Sequence, residues 1–272
     1  MDPVSLTGIG IALVGLLLTM LLEGSSPLAI LLLPPLLLVL GGTLGAAAAG
    51  ATSGDLRRLR HWVRLALAPE RVPSAGERIE LMAELAGRAR REGLLALDRR
   101  LRDVPDPFLR EGLRLAVDGT EPGLLRTILE NRIAAVVEDE RVAARFFARM
   151  GGYAPTIGII GTVIGLIHVL ARLDRTEELG GMIAAAFVAT LWGVLTANVF
   201  WLPMSTRILR TSELRAAQLE LLLTGIAEIH AGTSPRAVRQ RLVSLLPPAE
   251  ATAARLSARA AAAAAGRPSP AA

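Results

Sequence analysis

The stretch GGYAPTIGIIGTVIGLIHVL, residues Gly151–Leu170, contains no aspartate, glutamate, lysine or arginine over its 20 residues. About 20 apolar residues in a helix are enough to cross the hydrocarbon core of a bilayer. A helix surrounded only by lipid would be expected to consist largely of leucine, yet this stretch repeats glycine and threonine. Because small residues let membrane helices approach closely, the stretch predicts a transmembrane helix that packs tightly against other helices.

The rest of the chain supplies three more segments of this kind. The four predicted spans are Val4–Leu22, Leu28–Gly50, Ala154–Leu170 and Gly181–Met204. The first has no positively charged segment before it, so it is predicted to be a retained span rather than a cleaved signal. Pro34–Pro35 predicts a kink in the second span.

The composition agrees with a membrane protein and excludes several other classes. The chain has 272 residues, of which 52% are hydrophobic and 3% aromatic, and it has no cysteine, which excludes disulfides and cysteine-ligated metals. All of its 30 basic residues are arginine, and its net charge is +5. No zinc-finger spacing or aromatic RNA-binding motif accompanies this charge, so no nucleic-acid partner is expected.

The distribution of arginine predicts the orientation in the membrane. Arginines follow the second span, precede the third and follow the fourth, whereas the link Glu23–Pro27 has none. Arginine marks the cytoplasmic side of membrane proteins. The region between the second and third spans and the C-terminal region are therefore predicted to be cytoplasmic, with both termini inside.

These observations divide the chain into five predicted parts. Residues 1–51 and 150–205 carry the two pairs of spans, and residues 52–149 form cytoplasmic helices with apolar residues at three- and four-residue spacing. A helix from Leu124 is expected to continue without a break into the third span. Residues 206–246 form a cytoplasmic helix that continues the fourth span to about His230, and the alanine-rich residues 247–272 are expected to be disordered. The predicted fold class is an all-α integral membrane protein.

Small residues recur at helical spacing in the predicted spans. The residues expected to pack helix against helix are Gly158, Gly161, Gly165 and Gly193. Such faces serve contacts either within one chain or between copies. A tightly packed four-helix monomer explains the pattern, but an oligomer is favoured.

Two hydroxyls, Thr162 and Thr190, lie inside the third and fourth spans. Membrane threonines commonly donate to carbonyls of their own helix, but a pair of hydroxyls can also line an ion path. No aspartate, glutamate, lysine or arginine lies well inside any span, and His168 is near the outer end of the third, although a pathway for protons or Na⁺ normally includes an ionisable group. A conducting complex would therefore need a carboxylate from a partner. No catalytic motif, cofactor motif or metal-ligand cluster is recognised, so neither an enzyme nor a metal site is predicted.

Two long stretches carry a family resemblance. They are DGTEPGLLRTILENRIAAVVEDERVAARFFARMGGYAPTIGIIGTVIGLIHVL and AAAFVATLWGVLTANVFWLPMSTRI. Together with the cytoplasmic REGLLALD, they resemble the MotA and PomA stator subunits of the flagellar motor. The resemblance implies a ring of five copies around a dimer of a MotB-type, peptidoglycan-binding partner whose transmembrane helix supplies an aspartate. It also implies that H⁺ or Na⁺ passage turns the ring against the rotor protein FliG, in the bacterial inner membrane.

The resemblance also assigns roles to particular residues. Pro155 and Pro203 match the family's two prolines that couple ion binding to motion; the alternative interpretations are an N-terminal helix proline and a helix kink. Arg90 and Asp98 match the charged pair that faces the rotor, with aspartate here in place of the family's usual glutamate. Their spacing of eight predicts that they lie near one helix face.

The resemblance places Thr190 beside the partner's aspartate. Thr162 occupies a position where sodium-driven members resemble this chain and some proton-driven members carry alanine, which favours sodium without deciding the ion. Parts of both stretches also resemble the wider superfamily of TolQ and ExbB, whose members have three spans. A TolQ/ExbB-like energy transducer of the envelope is therefore the alternative function.

Overall fold

The computed structural model describes residues 3–68, 74–174, 176–254 and 256, and these residues form α-helices, two short 3₁₀ helices and one π-helix, with no strand. The predicted all-α class is confirmed. The chain divides into two compact units: the first unit is Met1–Glu70 with Glu138–Ser212, and the second unit is Arg71–Val137 with Glu213–Ala272.

Three helices at the start of the chain belong to the first unit. They are α1 Pro3–Leu22, α2 Leu33–Ala49 and α3 Ser53–Leu67, with a 3₁₀ helix Pro27–Ile30 between α1 and α2. Pro34 and Pro35 lie in the first turn of α2, where the missing N–H has no helical acceptor to lose. The predicted kink is therefore wrong, because the prolines begin the helix instead of bending it. A reciprocal capping box between Thr52 and Asp55 begins α3.

Two long helical stretches carry the third and fourth predicted spans. α6 is one 49-residue helix, Pro122–Leu170, so the predicted continuation into the third span is confirmed. α7 Leu179–Thr196 is followed without a gap by a π-helix, Ala197–Trp201, and by α8 Leu202–His230. The continuation of the fourth span to His230 is likewise confirmed.

The second unit is completed by α4 Ala75–Glu92, a 3₁₀ helix Leu94–Asp103, α5 Pro107–Val117 and α9 Pro235–Val243. Gly93 ends α4 with φ of 83°, a left-handed conformation that side chains disfavour. The core of this unit includes the fully buried Met82, Leu113, Ile226 and Leu242. At Gly112 the approach is so close that an added Cβ would clash with Ile226 Cδ1.

The start of the predicted C-terminal tail is ordered. Residues 248–254 are helical, and Ala254 is 7% exposed and belongs to the core of the second unit. The prediction of disorder from residue 247 is therefore wrong for this part, because alanine both favours helix and packs in small gaps. Residue 255 and residues 257–272 lie outside the described residues.

Apolar side chains remain exposed on the helices predicted to span the membrane. Leu22 of α1 is 81% exposed and Ile167 of α6 is 61% exposed. Among the described residues, two helical stretches, Pro122–Leu170 and Leu179–His230, are long and apolar enough to cross a membrane, and two shorter apolar helices are Leu6–Leu22 and Leu33–Ala49. Each of these two shorter apolar stretches has 17 residues and spans about 25 Å.

Candidate ion-pathway site

The candidate site lies in the first unit, where the backbones of α6 and α7 touch. A Cβ built on Gly158 would lie 2.8 Å from Ala189 O and 3.0 Å from Thr190 Cα. One built on Gly193 would lie 2.6 Å from Ala154 O and 3.1 Å from Gly158 Cα. No side chain fits at either glycine unless the helices move apart, so both positions require glycine for this contact.

The same contact continues toward the end of α6. A Cβ on Gly161 would lie 2.6 Å from Ala189 Cβ and 2.8 Å from Leu38 Cδ2, and one on Gly165 would lie 2.5 Å from Ala186 Cβ. All four glycines predicted to pack helices therefore lie in one contact within a single chain. Their spacing gives no support to an oligomer, because the chain itself uses them.

The close approach brings the two predicted hydroxyls together. Thr162 Oγ1 and Thr190 Oγ1 are 2.5 Å apart, 28 residues apart in sequence. Thr162 Oγ1 is also 3.1 Å from Ala186 O and 3.3 Å from Gly158 O. Both side chains are half-buried, so the pair lies at the edge of the helix contact and remains accessible from one side.

The number of hydroxyl hydrogens in this pair determines which of its two oxygens stays free to accept a hydrogen bond or to bind an ion. Each hydroxyl has one hydrogen and two acceptor lone pairs. If Thr162 donates to Ala186 O or Gly158 O, then the short bond must be donated by Thr190. Both hydrogens are then used inside the protein, and the lone pairs of Thr190 accept no hydrogen bond within the described part of the chain. Such an oxygen can accept a hydrogen bond from a protonated carboxyl group or coordinate a cation.

Pro155 lies inside α6, within the helix contact. Its Cα would be 3.2 Å from a Cβ on Gly193. The alternative of a proline at a helix N-terminus is wrong, because α6 begins at Pro122. Proline has no N–H, so the carbonyl of Gly151 lacks its usual partner four residues along the helix.

Pro203 follows a feature that sequence reasoning missed. The π-helix Ala197–Trp201 precedes it, and Leu202 N–H donates to Ala197 O, five residues back. Proline cannot donate to Val199 O and its ring crowds that carbonyl, which favours a wider turn. Pro203 was the only feature of the sequence that could have indicated the π-helix, but a proline in a helix is equally compatible with an ordinary kink.

Trp192 is a second site residue that sequence reasoning missed. Its Nε1 donates to Ile30 O at 2.6 Å and ties α7 to the 3₁₀ helix before α2. A tryptophan within an apolar helix usually finds an acceptor for its N–H when buried. That general rule was the only indication that Trp192 would make a hydrogen bond, because the sequence does not show which carbonyl would accept it.

The predicted rotor-facing charges are in the second unit. Arg90 is exposed on α4, whereas Asp98 is exposed on the 3₁₀ helix beyond Gly93. The prediction that they share one helix face is wrong, because the helix ends at Glu92 and the chain turns at Gly93.

An ion pair holds α4 against α9 in the second unit. Arg239 donates from Nε and Nη2 to the two carboxylate oxygens of Glu80 at 2.8 Å and 2.7 Å. These hydrogen bonds, with the Coulomb attraction of Arg239, lower the pKa of Glu80 against the opposing effect of burial. Both groups therefore stay charged at neutral pH, and the pair braces the helix that carries Arg90.

No group of three or more His, Asp or Glu residues that could hold a metal ion occurs within residues 3–68, 74–174, 176–254 and 256. What the site offers is two hydroxyls in an apolar helix contact. This arrangement can pass or transiently bind a small cation, but it contains no group that exchanges a proton.

Comparisons with known proteins identify the class first. The model of the MotA/TolQ/ExbB proton channel family matches residues 100–221. The chain therefore falls in a class of membrane-embedded ion-channel proteins.

Individual relatives extend the match to most of the chain. Motility protein A of Bacillus subtilis is 36% identical over 247 residues, which cover 91% of this chain and 92% of that protein. Motility protein A of Helicobacter pylori is 29% identical over 250 residues, 92% of this chain and 97% of the relative. The chain belongs to the MotA/TolQ/ExbB proton channel family.

Solved structures agree with this assignment. A chain of the flagellar MotAB stator complex from Bacillus subtilis matches with a TM-score of 0.85 and 35% identity over 91% of this chain and 97% of that one. A chain of C. jejuni MotAB matches with a TM-score of 0.86 and 25% identity over the same shares.

Proposed function

We propose that the chain is the MotA-type stator subunit of a bacterial flagellar motor, forming with a MotB-type partner an ion channel that couples H⁺ or Na⁺ influx to torque. The observation that carries this proposal is the Thr162–Thr190 hydroxyl pair in an apolar helix contact that has no acidic residue. Relatives named Motility protein A that align over about nine-tenths of the chain support it.

The proposed arrangement has four membrane spans in the inner membrane, with both termini cytoplasmic. The four spans are provided by α1, α2, the last part of α6, and α7. The cytoplasmic regions are residues 52–149 and 206–246, and the chain after residue 246 is on the same side of the membrane. The exposed apolar side chains of α1 and the apolar helices Leu6–Leu22 and Leu33–Ala49 support this arrangement. The arginines beside the spans support its orientation.

The proposed assembly is a ring of five copies around a dimer of the partner, whose aspartate faces Thr190. One face of α6 beyond Gly158 remains exposed within the chain, and it carries Ile160, Val163, Ile164 and Ile167, each more than half exposed. Because the glycines on the other face are already used, this face is available for the partner or a neighbouring copy. An apolar surface of this kind, which makes no directional hydrogen bonds, suits a partner helix that must slide along α6.

In the proposed mechanism, Thr190 accepts a hydrogen bond from the protonated aspartate, or Thr190 and Thr162 supply oxygens to Na⁺. Pro155 and Pro203 transmit the change to the cytoplasmic side, since each leaves a helix carbonyl without its usual donor. Arg90 and Asp98 then contact FliG. The two charges are exposed on neighbouring segments joined at Gly93, so both can reach a partner protein.

The subunit without its partner is expected to conduct no measurable H⁺ or Na⁺, because the four spans contain no carboxylate or amine. The test is ion flux into liposomes that contain the purified subunit, against liposomes with the complete complex. Flux through the subunit alone at the level of the complex would contradict the proposal.

Reversing both rotor-facing charges, Arg90→Glu with Asp98→Arg, is expected to abolish or strongly reduce swimming while leaving the complex assembled. Both side chains are exposed, so neither contributes to a core. The measurements are swimming speed, membrane level and copurification of the partner.

The matched control reverses Arg126 and Glu130, an exposed pair of opposite charges in the same unit, 2.8 Å apart on α6. This control is expected to swim normally, since exposed pairs contribute little to stability. Loss of the complex in the Arg90 and Asp98 double variant would show instead that these charges serve folding.

A TolQ/ExbB-like transducer is the competing function, since the family model includes those proteins. The long alignments to motility proteins favour the stator. Deleting the gene decides between them: loss of swimming with an intact flagellum supports the stator, and unchanged swimming with a defect in the cell envelope supports the transducer.

A further inference from the structure

A cavity of about 680 Å³ lies in the first unit, between α1, α2, α7, the π-helix and the end of α3. Its walls are almost wholly apolar and include Ile9 and Ala12 of α1, Leu40 of α2, Trp192 of α7 and Met204 of α8. We call it the apolar cavity. It lies on the side of α7 that carries Trp192 and Thr196, and neither Thr162 nor Thr190 lines it.

One end of the apolar cavity is closed by the C-terminal end of α3. Ala66 and Leu67 line it, and Arg207 on the same wall donates from Nη2 to Ala68 O at 3.0 Å. Ala68 is the residue that ends α3. The position of α3 beside the cavity is therefore held by a hydrogen bond as well as by packing.

α3 brings positive charge to this end of the cavity. Arg60, Arg64 and Leu67 are spaced by four and three residues, so they follow one stripe of the helix. Leu67 lines the cavity, whereas Arg60 and Arg64 are exposed and make no ion pair with the described part of the chain. An amphipathic helix with arginine on its polar face is typical of segments that lie at the surface of a membrane with anionic lipids.

We propose that the apolar cavity holds an acyl chain of an anionic phospholipid from the cytoplasmic leaflet, with the phosphate of its headgroup against Arg60 and Arg64. The proposal rests on the proposed membrane location of α1, α2 and α7. Apolar walls match the chain, and exposed arginines on the adjoining stripe match the negative headgroup.

The volume of the apolar cavity is that of a small-ligand site. Small ligands occupy cavities of about 300–1,000 Å³, and the apolar cavity lies within this range. An acyl chain of a membrane lipid is apolar along its whole length, so it matches walls that are almost wholly apolar.

The lipid chain would lie against the segment that includes the π-helix and Pro203. Phe200, Trp201 and Pro203 all line the apolar cavity. The occupant would therefore support the wide helical turn at the cytoplasmic end of the fourth span, where the chain's own side chains leave space.

The test uses the complete complex with its partner, reconstituted in bilayers of equal phosphatidylglycerol and phosphatidylcholine and then extracted in detergent. Native mass spectrometry counts the lipids retained per chain. The wild type is expected to retain one lipid per chain with phosphatidylglycerol in excess. Gly8→Phe, which places a ring in the cavity, is expected to lose it. Gly15→Phe is the matched control, because Gly15 lies two turns along α1, does not line the cavity and has nothing within 4 Å of an added Cβ.

The headgroup contact is tested with Arg60→Gln and Arg64→Gln. The preference for phosphatidylglycerol is expected to fall by about fivefold for each arginine removed, and lysine at both positions is expected to retain it. Equal lipid retention in Gly8→Phe and the wild type would overturn the proposal, as would equal retention of the two lipids by the wild type.

A neighbouring copy is the remaining occupant to be tested. The chain has no cysteine, so Ala12→Cys on the cavity wall introduces a single thiol. A thiol-reactive photo-crosslinker attached to this thiol is expected to link the chain to lipid on irradiation, and links to another copy of the chain would overturn the proposal. A complex that resides in the membrane but retains no lipid would contradict only this inference, whereas unimpaired swimming after deletion of the gene would contradict the proposed function alone.

Discussion

Replacing Gly193 with alanine is expected to destabilise the complex by about 1–3 kcal/mol and to reduce ion flux, although alanine is the better helix former. The added Cβ would lie 2.6 Å from Ala154 O and 3.2 Å from Pro155 Cα, so α6 and α7 must separate. Backbone atoms cannot rotate away as a side chain can. Separation would also lengthen the contact between Thr162 and Thr190, which depends on the same approach.

The matched control is Gly181→Ala in the same helix. Nothing lies within 4 Å of a Cβ at Gly181, so this change is expected to be neutral or to stabilise α7 by up to about 1 kcal/mol. The measurements are the thermal unfolding temperature of the purified complex and ion flux in liposomes. An equal change of the unfolding temperature in Gly193→Ala and Gly181→Ala, in either direction, would show that the α6–α7 contact is looser than the geometry indicates.

Thr190→Val is expected to reduce ion flux and swimming speed by about tenfold or more while leaving the complex assembled. Valine keeps the shape of threonine but removes the oxygen, and a buried donor left without its acceptor costs about 1–3 kcal/mol. Because Thr190 is half-buried beside Thr162, the lost oxygen is the one that the proposed mechanism offers to the partner's aspartate or to Na⁺.

Thr196→Val is the matched control in the same stretch of the chain. The hydroxyl of Thr196 is buried and donates to Trp192 O at 2.7 Å within its own helix, so it cannot face the ion. This variant is expected to keep its flux. Normal swimming of Thr190→Val at every ion concentration would remove the hydroxyl pair from the pathway.

Thr162→Ala tests which ion drives the motor. If the ion is Na⁺, swimming speed is expected to fall most steeply at low sodium, because one oxygen ligand is lost. If the ion is H⁺, the same change is expected to show little dependence on sodium. The measurement is swimming speed against sodium concentration at fixed pH, and a wild type that is indifferent to sodium settles the ion as the proton.

Local patterns in the sequence were enough to predict several features of the chain. Apolar runs and arginine positions predict helices and their orientation, and the absence of a breaker predicts that one helix continues through Met150 into the third span. The need for a carboxylate from a partner also follows from composition alone. These features depend on residues close together in sequence, where hydrophobic periodicity is informative.

Only the tertiary structure decided which surfaces meet. The glycine spacing left open whether the helix that packs on these glycines belongs to the same chain or to another copy. The contact of Gly158 with Gly193 shows that it belongs to the same chain. The 2.5 Å contact of Thr162 with Thr190 joins residues 28 positions apart, and the bond from Trp192 to Ile30 joins residues 162 apart. Helical periodicity identifies a face of a helix but does not name the face that packs on it. For the same reason the π-helix before Pro203 and the break at Gly93 emerged only once the packed backbone was known.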